Sequence, residues 1–385
     1  MKVKKLSLII CLALLLYAFT ACSKNEKTQP TEWESYSTTS FKVYKDGVFF
    51  SDNNTILHYF DASSKEDVIL CDKKDCQHSG SSCHGYIGSS RGYVVSGEHI
   101  YTLNNNDSFD TLIESNIDYT NHKETVSLGK ALTEQGYYIS ANSFLVSGDY
   151  LYYLAQVTNF DTGDSYYGIY GINIKTGKET TIADRQKSSS DLNIVSVCGP
   201  EIIYFTSYLD EELSNQIYGI EQEAIDWEQW NKKFKEYEEQ RTYSVYRYNI
   251  ETGETTVFYE NKTTTLPLFA NENSLYCMNY TIDETSYVAD RYFTVDQKTQ
   301  EEKDVTEDEY YKAFRGYTDS EKETITGGNE DLNIYCLVDS GYIGTRADKK
   351  VQTGENSYLI TKQSYILIDK NNSQNKPFVF YTLEK

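Results

Sequence analysis

A dipeptide of one aliphatic and one aromatic residue recurs six times along the chain, each time just after a turn signal and followed by a predicted strand. The aromatic members are separated by 52, 51, 52, 72 and 59 residues. The six pairs are Val48-Phe49, Ile100-Tyr101, Leu151-Tyr152, Ile203-Tyr204, Leu275-Tyr276 and Ile334-Tyr335. A period near fifty residues predicts a β-repeat that stacks or closes on itself, because one such repeat cannot bury its own apolar faces.

A second marker recurs with the same period as the first. It consists of a strand that ends in Asp or Asn, then a polar turn, then another strand. The clearest copies begin at Asn173 and Asn249, each followed four residues later by Gly. Weaker copies begin their turns at Asp61, Asp118, Asp296 and Asp369. Asn and Asp side chains open turns, and Gly relaxes the backbone at the far corner. One unit therefore contains four short antiparallel strands, as does a propeller blade.

These markers predict an all-β fold, a six-bladed β-propeller over residues 36–385. The blades are expected to begin near residues 41, 92, 142, 193, 266 and 330. The ring would close with a strand from 36–44 or, alternatively, from the tail at 377–383. Abundant tyrosine, 36 residues, fits this assignment because aromatic side chains favour strands.

The longest gap between markers predicts a helical insertion in blade 4, at about 218–240. Apolar residues recur there at helical spacing, with charged residues between them. These residues are Ile220, Ala224, Trp227, Phe234 and Tyr237. Trp230 falls just off this stripe. Two interpretations remain open: the stripe packs onto the rim of the propeller, or Trp227 and Trp230 form part of a binding face.

On these repeats the chain resembles the bacterial six-bladed β-propeller lipoproteins, the broad group that includes the TolB-like propellers. The resemblance covers roughly residues 36–385. A motif formed by Cys71, Cys76, His78, Cys83 and His84 is also similar to one in surface lipoproteins of Gram-positive bacteria. The resemblance implies a propeller fold and a cell-surface location, and it implies no particular chemistry.

The first residues match an export signal. Three lysines precede an apolar run that is too short to span a membrane, and Ala21 stands before Cys22. We therefore predict a lipoprotein signal peptide at 1–21, with Cys22 carrying fatty-acyl chains such as palmitate, and a polar tether at 22–35. The predicted location is extracytoplasmic, on the cell membrane. The alternative is a soluble secreted protein.

The chain carries a formal charge of −22, and removal of the three lysines in the signal segment would leave −25. A surface this acidic repels nucleic acid, so a nucleic-acid partner is not expected. It would tolerate cations and cationic partners. Solubility alone also accounts for such a charge.

Three cysteines and two histidines lie within fourteen residues, between Cys71 and His84. Zinc prefers four soft or borderline ligands in a tetrahedron, and the Cys3His set of Cys71, Cys76, His78 and Cys83 supplies them. His84 could replace His78. The other interpretations are one disulfide with a spare thiol, or three reduced and unliganded cysteines. Four protein ligands would leave no open position, so such a zinc would be structural.

Four long connections, at 71–92, 158–167, 208–241 and 306–329, are expected on one face of the propeller. We therefore predict a non-catalytic binding or scaffold module that presents this face to a glycan, peptide or protein. The alternative is an extracellular propeller-type enzyme, such as a polysaccharide lyase, a glycosidase or a calcium-dependent hydrolase. The motif Gly88-Ser-Ser-Arg-Gly92 matches G-x-S-x-G, but a strand follows it where a nucleophile elbow requires a helix.

Overall fold

The structure is a computed structural model that describes residues 33–35, 41–53, 55–88, 92–106, 109–186, 192–210, 212, 215, 226–283, 286–352, 358–370 and 377–384. Within these residues the strands form six antiparallel sheets. Each sheet has four strands that are consecutive in the chain, and one sheet gains a fifth. We number the sheets 1 to 6 in chain order.

The short strand β1 (Glu34–Ser35) is the fifth strand of sheet 4. Sheet 1 contains β2 (Lys42–Tyr44), β3 (Gly47–Ser51), β4 (Leu57–Asp61) and β5 (Glu66–Ile69). Sheet 2 contains β6 (Tyr93–Ser96), β7 (His99–Asn106), β8 (Phe109–Asn116) and β9 (Lys123–Ser127). Sheet 3 contains β10 (Tyr138–Ser147), β11 (Tyr150–Asn159), β12 (Asp164–Asn173) and β13 (Glu179–Gln186).

Sheet 4 continues with β14 (Leu192–Cys198), β15 (Glu201–Tyr208), β16 (Thr242–Asn249) and β17 (Thr255–Thr263). Sheet 5 contains β18 (Thr265–Ala270), β19 (Ser274–Asp283), β20 (Ser286–Asp296) and β21 (Glu302–Val305). Sheet 6 contains β22 (Leu332–Leu337), β23 (Gly341–Gln352), β24 (Tyr358–Asp369) and β25 (Phe378–Glu384). The helices are α1 (Lys130–Thr133), α2 (Trp227–Glu238), α3 (Glu307–Arg315) and α4 (Asp319–Thr326).

The sheets are arranged around an axis, with the first strand of each sheet innermost. These first strands contact one another in turn: β2 with β6, β6 with β10, β10 with β14, and β14 with β18. Sheet 6 meets sheet 1, because β25 contacts β5 and Phe60 stacks on Phe380 with ring centroids 3.9 Å apart. The backbone N–H of Ser340 also donates to Asp46 at 2.8 Å. Antiparallel sheets that close around an axis form a β-propeller.

The side chains of a strand point alternately to the two faces of its sheet, and this explains how one sheet packs against both neighbouring sheets. In β11, Leu151 and Tyr153 face sheet 2, whereas Tyr152 and Leu154 face sheet 4. Successive side chains of a strand point to opposite faces of the sheet. A strand whose odd and even positions are both apolar is therefore buried on both faces. Full burial of one such side chain stabilises the fold by roughly 1.5–3 kcal/mol.

Two helices fill the space between sheets 5 and 6. In α3, Tyr310 stacks on Tyr292 at 4.6 Å between ring centroids, and Phe314 contacts Phe269 at 5.3 Å. After α3, the hydroxyl of Tyr317 donates to the carbonyl of Ile334 in β22 at 2.7 Å. Both helices begin with a capping box, which satisfies their first backbone N–H groups. Helix α3 therefore contacts both sheets, and α4 packs against sheet 6.

The repeat markers map onto the strands with one exception. Five of the aliphatic–aromatic pairs lie in the second strand of their sheets, but Ile334-Tyr335 lies in β22, the first strand of sheet 6. Both inner strands of a blade are buried, so the apolar pattern alone does not distinguish them. The first strands begin at residues 42, 93, 138, 192, 265 and 332. The tail supplies the last strand of sheet 6, while Lys42–Tyr44 opens sheet 1.

The Asx turns lie at the ends of third strands. The Oδ1 of Asn173 accepts from the backbone N–H groups of Lys175 and Thr176, at 3.1 and 3.0 Å. Asn249 accepts two such bonds at 3.0 Å each, and Asp296 accepts two at 2.8 and 2.7 Å. These side chains satisfy the backbone donors at each corner, and this local effect explains why the marker is readable in the sequence.

Candidate metal centre and axial pocket

The connection from sheet 1 to sheet 2 is fixed at both ends by backbone pairing. Leu70 donates to Leu57 at 2.9 Å as the connection begins. Near its end, Leu57 donates to Gly85 at 2.8 Å and Ile87 donates to Thr55 at 3.0 Å. Between these anchors, almost every residue from 72 to 82 is exposed. The middle of the connection therefore has no apolar core of its own.

The predicted ligands come together within and at the ends of this stretch, and they are less exposed than the residues around them: three are half-buried and Cys83 is buried. The Sγ atoms of Cys71, Cys76 and Cys83 and a ring nitrogen of His78 all lie within 4.8 Å of one another. The Sγ of Cys83 and the Nδ1 of His78 are 3.7 Å apart. Four such atoms on one tetrahedral zinc would be separated by roughly 3.5–3.8 Å, given the usual zinc–sulfur and zinc–nitrogen bonds. A Cys3His set in this arrangement could bind a metal such as zinc.

The backbone of the connection turns sharply to bring these side chains together. Asp75 and His78 adopt the left-handed conformation, with φ of 58° and 49°, and Gly80 has φ of 62°. A single 3₁₀ turn follows at Gly80–Ser82 and delivers Cys83, which is 4% exposed. Left-handed backbone at non-glycine residues is uncommon, so two such residues within one short stretch indicate strong local constraint.

The surroundings of Cys71 favour its thiolate form, which is the form that binds a cation. Burial raises the pKa of Cys71, but hydrogen bonds from the backbone N–H of Lys73 and from the Cys83 thiol bring that pKa down to about 6. For Cys83, burial and the neighbouring sulfurs raise the pKa to about 12. One thiolate thus disfavours a second one nearby. A bound divalent cation would remove this penalty, because metal ligation deprotonates thiols.

His84, the alternative ligand, lies outside this group of four. Its Nδ1 is 2.7 Å from the Oδ1 of Asp72, and both side chains are about half exposed. Its ring is 6.2 Å from that of His122, in the turn between the third and fourth strands of sheet 2. The cluster therefore lies where sheets 1 and 2 meet. Cys71, Cys76 and Cys83 carry free thiols in the structure.

A second feature is a pocket of about 670 Å³ on the axis of the propeller. It is lined by first strands of sheets 1, 2, 3, 5 and 6, by β1, and by the end of α3. Its aromatic lining residues are Trp33, Phe41, Phe269, Phe314 and Tyr335. Its charged lining residues are Glu34, Lys42 and Arg315. Burial lowers the pKa of Lys42. The volume and the mainly apolar lining are those of small-molecule sites.

Several of these lining residues were missed by the sequence reasoning. Trp33, Glu34 and Ser35 were assigned to a polar tether, yet Glu34 and Ser35 pair with Val197 and Ser196. Lys42 and Arg315 belong to no sequence motif that would have identified them. The one local signal was Trp33, an aromatic residue within an otherwise polar segment, and such a residue favours burial.

The two tryptophans of the insertion differ in their surroundings. Trp230 is partly buried and stacks on Phe234, with ring centroids 5.1 Å apart, and Phe234 is buried between sheets 4 and 5. Trp227 is 64% exposed and contacts Trp230 edge-on. Helix α2 begins after Asp226, whose side chain caps it. Residues 220 and 224 of the predicted stripe lie outside the described residues.

Some predicted features fall outside the described residues altogether. These are the signal at 1–21, Cys22 and the middle of the motif at 88–92. Within the described residues, no helix combines the length and the apolar composition that membrane spanning requires.

Comparison with known proteins gives fold-level similarity only. The chain matches no family model and no curated protein. Among solved structures, it is similar to the β-propeller domain of the Trilobed protease from Pyrococcus furiosus, at 8% identity and a TM-score of 0.37, over 86% of this chain and 89% of that one. It is also similar to an acylaminoacyl peptidase from Pyrococcus horikoshii, at 10% identity and a TM-score of 0.40, over 87% of this chain and 49% of that one.

A third similar structure is an oligogalacturonate lyase from Vibrio parahaemolyticus, at 9% identity and a TM-score of 0.32, over 90% of this chain and 74% of that one. The chain thus spans about half the length of the peptidase. At these identities and scores, the activities of the three proteins say nothing about this chain.

Proposed function

We propose that this protein is a non-catalytic surface module: a six-bladed propeller, with a helical insertion in its fourth blade, anchored outside the cytoplasm through lipidated Cys22. Zinc bound by Cys71, Cys76, His78 and Cys83 orders the connection between the first two blades. The long connections then form a fixed surface that binds a glycan, peptide or protein.

The observation that carries this proposal is the convergence of four ligand atoms in an exposed connection with no core. Fixing the backbone of one residue costs roughly 1–2 kcal/mol, and exposed polar residues cannot offset that cost by burial. A structural zinc site can supply this stabilisation, because metal binding contributes directly to folding. Four protein ligands leave no coordination position for a substrate, which favours a structural role.

The axial pocket supports a binding role over a catalytic one. Its described lining contains one carboxylate, Glu34, and no histidine. The hydroxyl of Ser35 is hydrogen-bonded to that of Ser196, and burial raises the pKa of the Cys336 thiol to about 12. Glycoside hydrolysis usually needs two carboxylates, and acyl transfer needs an activated nucleophile. Aromatic side chains around a pocket of this size are suited to sugar rings or apolar peptide side chains.

The zinc site is tested by metal analysis of purified full-length protein together with hydrogen exchange. We expect about one zinc per chain. Chelation should accelerate amide exchange in residues 71–88 while leaving the strands of sheets 3 and 4 unchanged. A zinc content near zero, with a mass two hydrogen atoms below that of the reduced chain, would instead identify a disulfide.

His78 and His84 form a matched pair of variants for this test. His78→Ala should lose most of the bound zinc, whereas His84→Ala, in the same connection, should keep it. If both variants retain zinc equally, the assigned ligand set is wrong.

Anchoring and binding are tested separately. Cys22→Ser should release the protein into the medium and abolish labelling by a fatty-acid probe. Glycan and peptide arrays should give hits that weaken in Trp227→Ala or when the zinc is removed. Catalytic turnover of any array ligand would support the enzyme alternative.

A further inference from the structure

Residues 34–35 lie inside the axis of the propeller, and their strand pairing defines the direction in which the chain runs there. Strand β1 pairs antiparallel with β14, so that Glu34 lies opposite Val197 and Ser35 lies opposite Ser196. The hydroxyls of Ser35 and Ser196 are 2.6 Å apart. From sheet 2, the hydroxyl of Ser96 donates to Glu34 at 3.0 Å. Two sheets therefore hold this segment in register.

The register defines which end of the axis the chain enters. One end is formed by the turns between first and second strands, at 45–46, 97–98, 148–149, 199–200, 271–273 and 338–340. We call this end the inner-turn face. Its turns contact one another around the ring: Lys45 lies 3.8 Å from Glu98, and Gly199 donates to Ser147 at 3.0 Å.

Glu34 lies nearer to this face than Ser35 does. Val197, its partner, is closer to the turn at 199–200 than Ser196 is, and Ser96 directly precedes the turn at 97–98. The chain therefore runs from the inner-turn face into the axis. Strand order is consistent with this direction, because the next described residue, Phe41, precedes β2 at the opposite end.

Resting on the lipid anchor of the proposed function, we infer that the inner-turn face is turned toward the membrane. The opposite face, with the links between sheets and the turns between second and third strands, then points away from it. Cys22 precedes Trp33 by eleven residues. A chain of that length reaches at most about 36–40 Å, so the mouth of the axis stays within that distance of the bilayer.

This orientation gives the axial strand a mechanical role. The anchor attaches to the centre of the ring and not to its rim. Force on the tether would act on the hydrogen bonds between β1 and β14 before it reached the blades. The surface available to partners is the one with the long connections, including the turn at 160–163 where Phe160 is 77% exposed.

The test compares two labelling sites on opposite faces of the full-length protein. Azidophenylalanine replaces Glu272, in the exposed inner turn at 271–273, or Phe160, which it resembles in shape. A large polyethylene glycol with a strained alkyne then labels the anchored protein in vesicles and the released Cys22→Ser protein. Anchoring should slow labelling at position 272 roughly fivefold or more and change that at 160 by less than about twofold.

A longer tether provides the matched control. A Gly-Ser insertion after Ser23 should restore fast labelling at position 272, because a flexible linker lets the face move away from the bilayer. Equal labelling of both sites in the anchored protein, or protection of position 160 alone, would overturn the orientation. Membrane retention of Cys22→Ser would refute the anchor itself, and fractionation reveals that before any labelling.

Discussion

Arg241 and Glu238 form an ion pair from which water is excluded, with side chains 9% and 0% exposed. The guanidinium binds the carboxylate through two hydrogen bonds of 2.8 Å, and it also donates to Ser207 at 3.3 Å. Tyr287 of sheet 5 donates to the same carboxylate at 3.2 Å. These residues fix the end of α2 to sheets 4 and 5. Because the carboxylate of Glu238 is fully buried, loss of Arg241 would leave it without its counter-ion.

We expect Arg241→Met to lower the free energy of unfolding by about 3–5 kcal/mol, since Glu238 would stay buried without its counter-ion. The exposed pair of Lys362 and Glu384 is the control, and Lys362→Met should cost less than about 1 kcal/mol. Chemical denaturation measures both. Equal effects of the two substitutions on the free energy of unfolding would mean that burial does not make the Arg241–Glu238 pair more important for stability.

Residues close in sequence were the predictable part of the site. The four proposed ligands lie within thirteen residues of one another, and their spacing predicts that they converge, with a metal, a disulfide or free thiols left open. The roles of Glu34 and Ser35 were not predictable, because their partners Ser96 and Ser196 are 62 and 161 residues away. No local pattern encodes contacts made across the axis.

At the scale of elements, helices α3 and α4 fill the gap between sheets 5 and 6. Tyr310 is central to this contact: it is 7% exposed and packs against Phe269, Tyr292 and Phe314. The sequence predicts 306–329 only as a long connection. The capping boxes at Thr306 and Thr318 were visible signals, but the apolar stripe of each helix is too short to stand out.

Tyr310→Ala should lower the free energy of unfolding by about 3–5 kcal/mol, because it leaves a cavity between two blades. Phe160→Ala is the control: that ring is exposed, and its loss should change stability by less than about 0.5 kcal/mol. Thermal unfolding followed by near-ultraviolet circular dichroism checks both. A small effect at Tyr310 would show that the helices are dispensable for the contact between sheets 5 and 6.

At the scale of the whole molecule, the ring closes where sheet 6 meets sheet 1. Four aromatic rings meet there: Phe50, Phe60, Tyr365 and Phe380. The repeat pattern predicted the number of sheets because each repeat has the same needs for burial and turns. It left the closing strand open between two candidates, since both segments favour strands and only tertiary contacts choose between them.

Removal of residues 377–384 should prevent closure. The truncated chain would expose Phe60 and the whole edge of β24, and an unpaired strand edge promotes aggregation. We expect a lower unfolding temperature and soluble aggregates in size-exclusion chromatography. A monomer with unchanged stability would contradict the closed ring.

The zinc K-edge absorption spectrum of the purified protein identifies the atoms that bind the zinc. A Cys3His zinc site predicts three sulfur ligands at about 2.3 Å and one nitrogen at about 2.0–2.1 Å, and it predicts that most of the zinc absorption is lost in His78→Ala. A first shell of oxygen atoms, or no bound zinc in protein that keeps three reduced thiols, would contradict it.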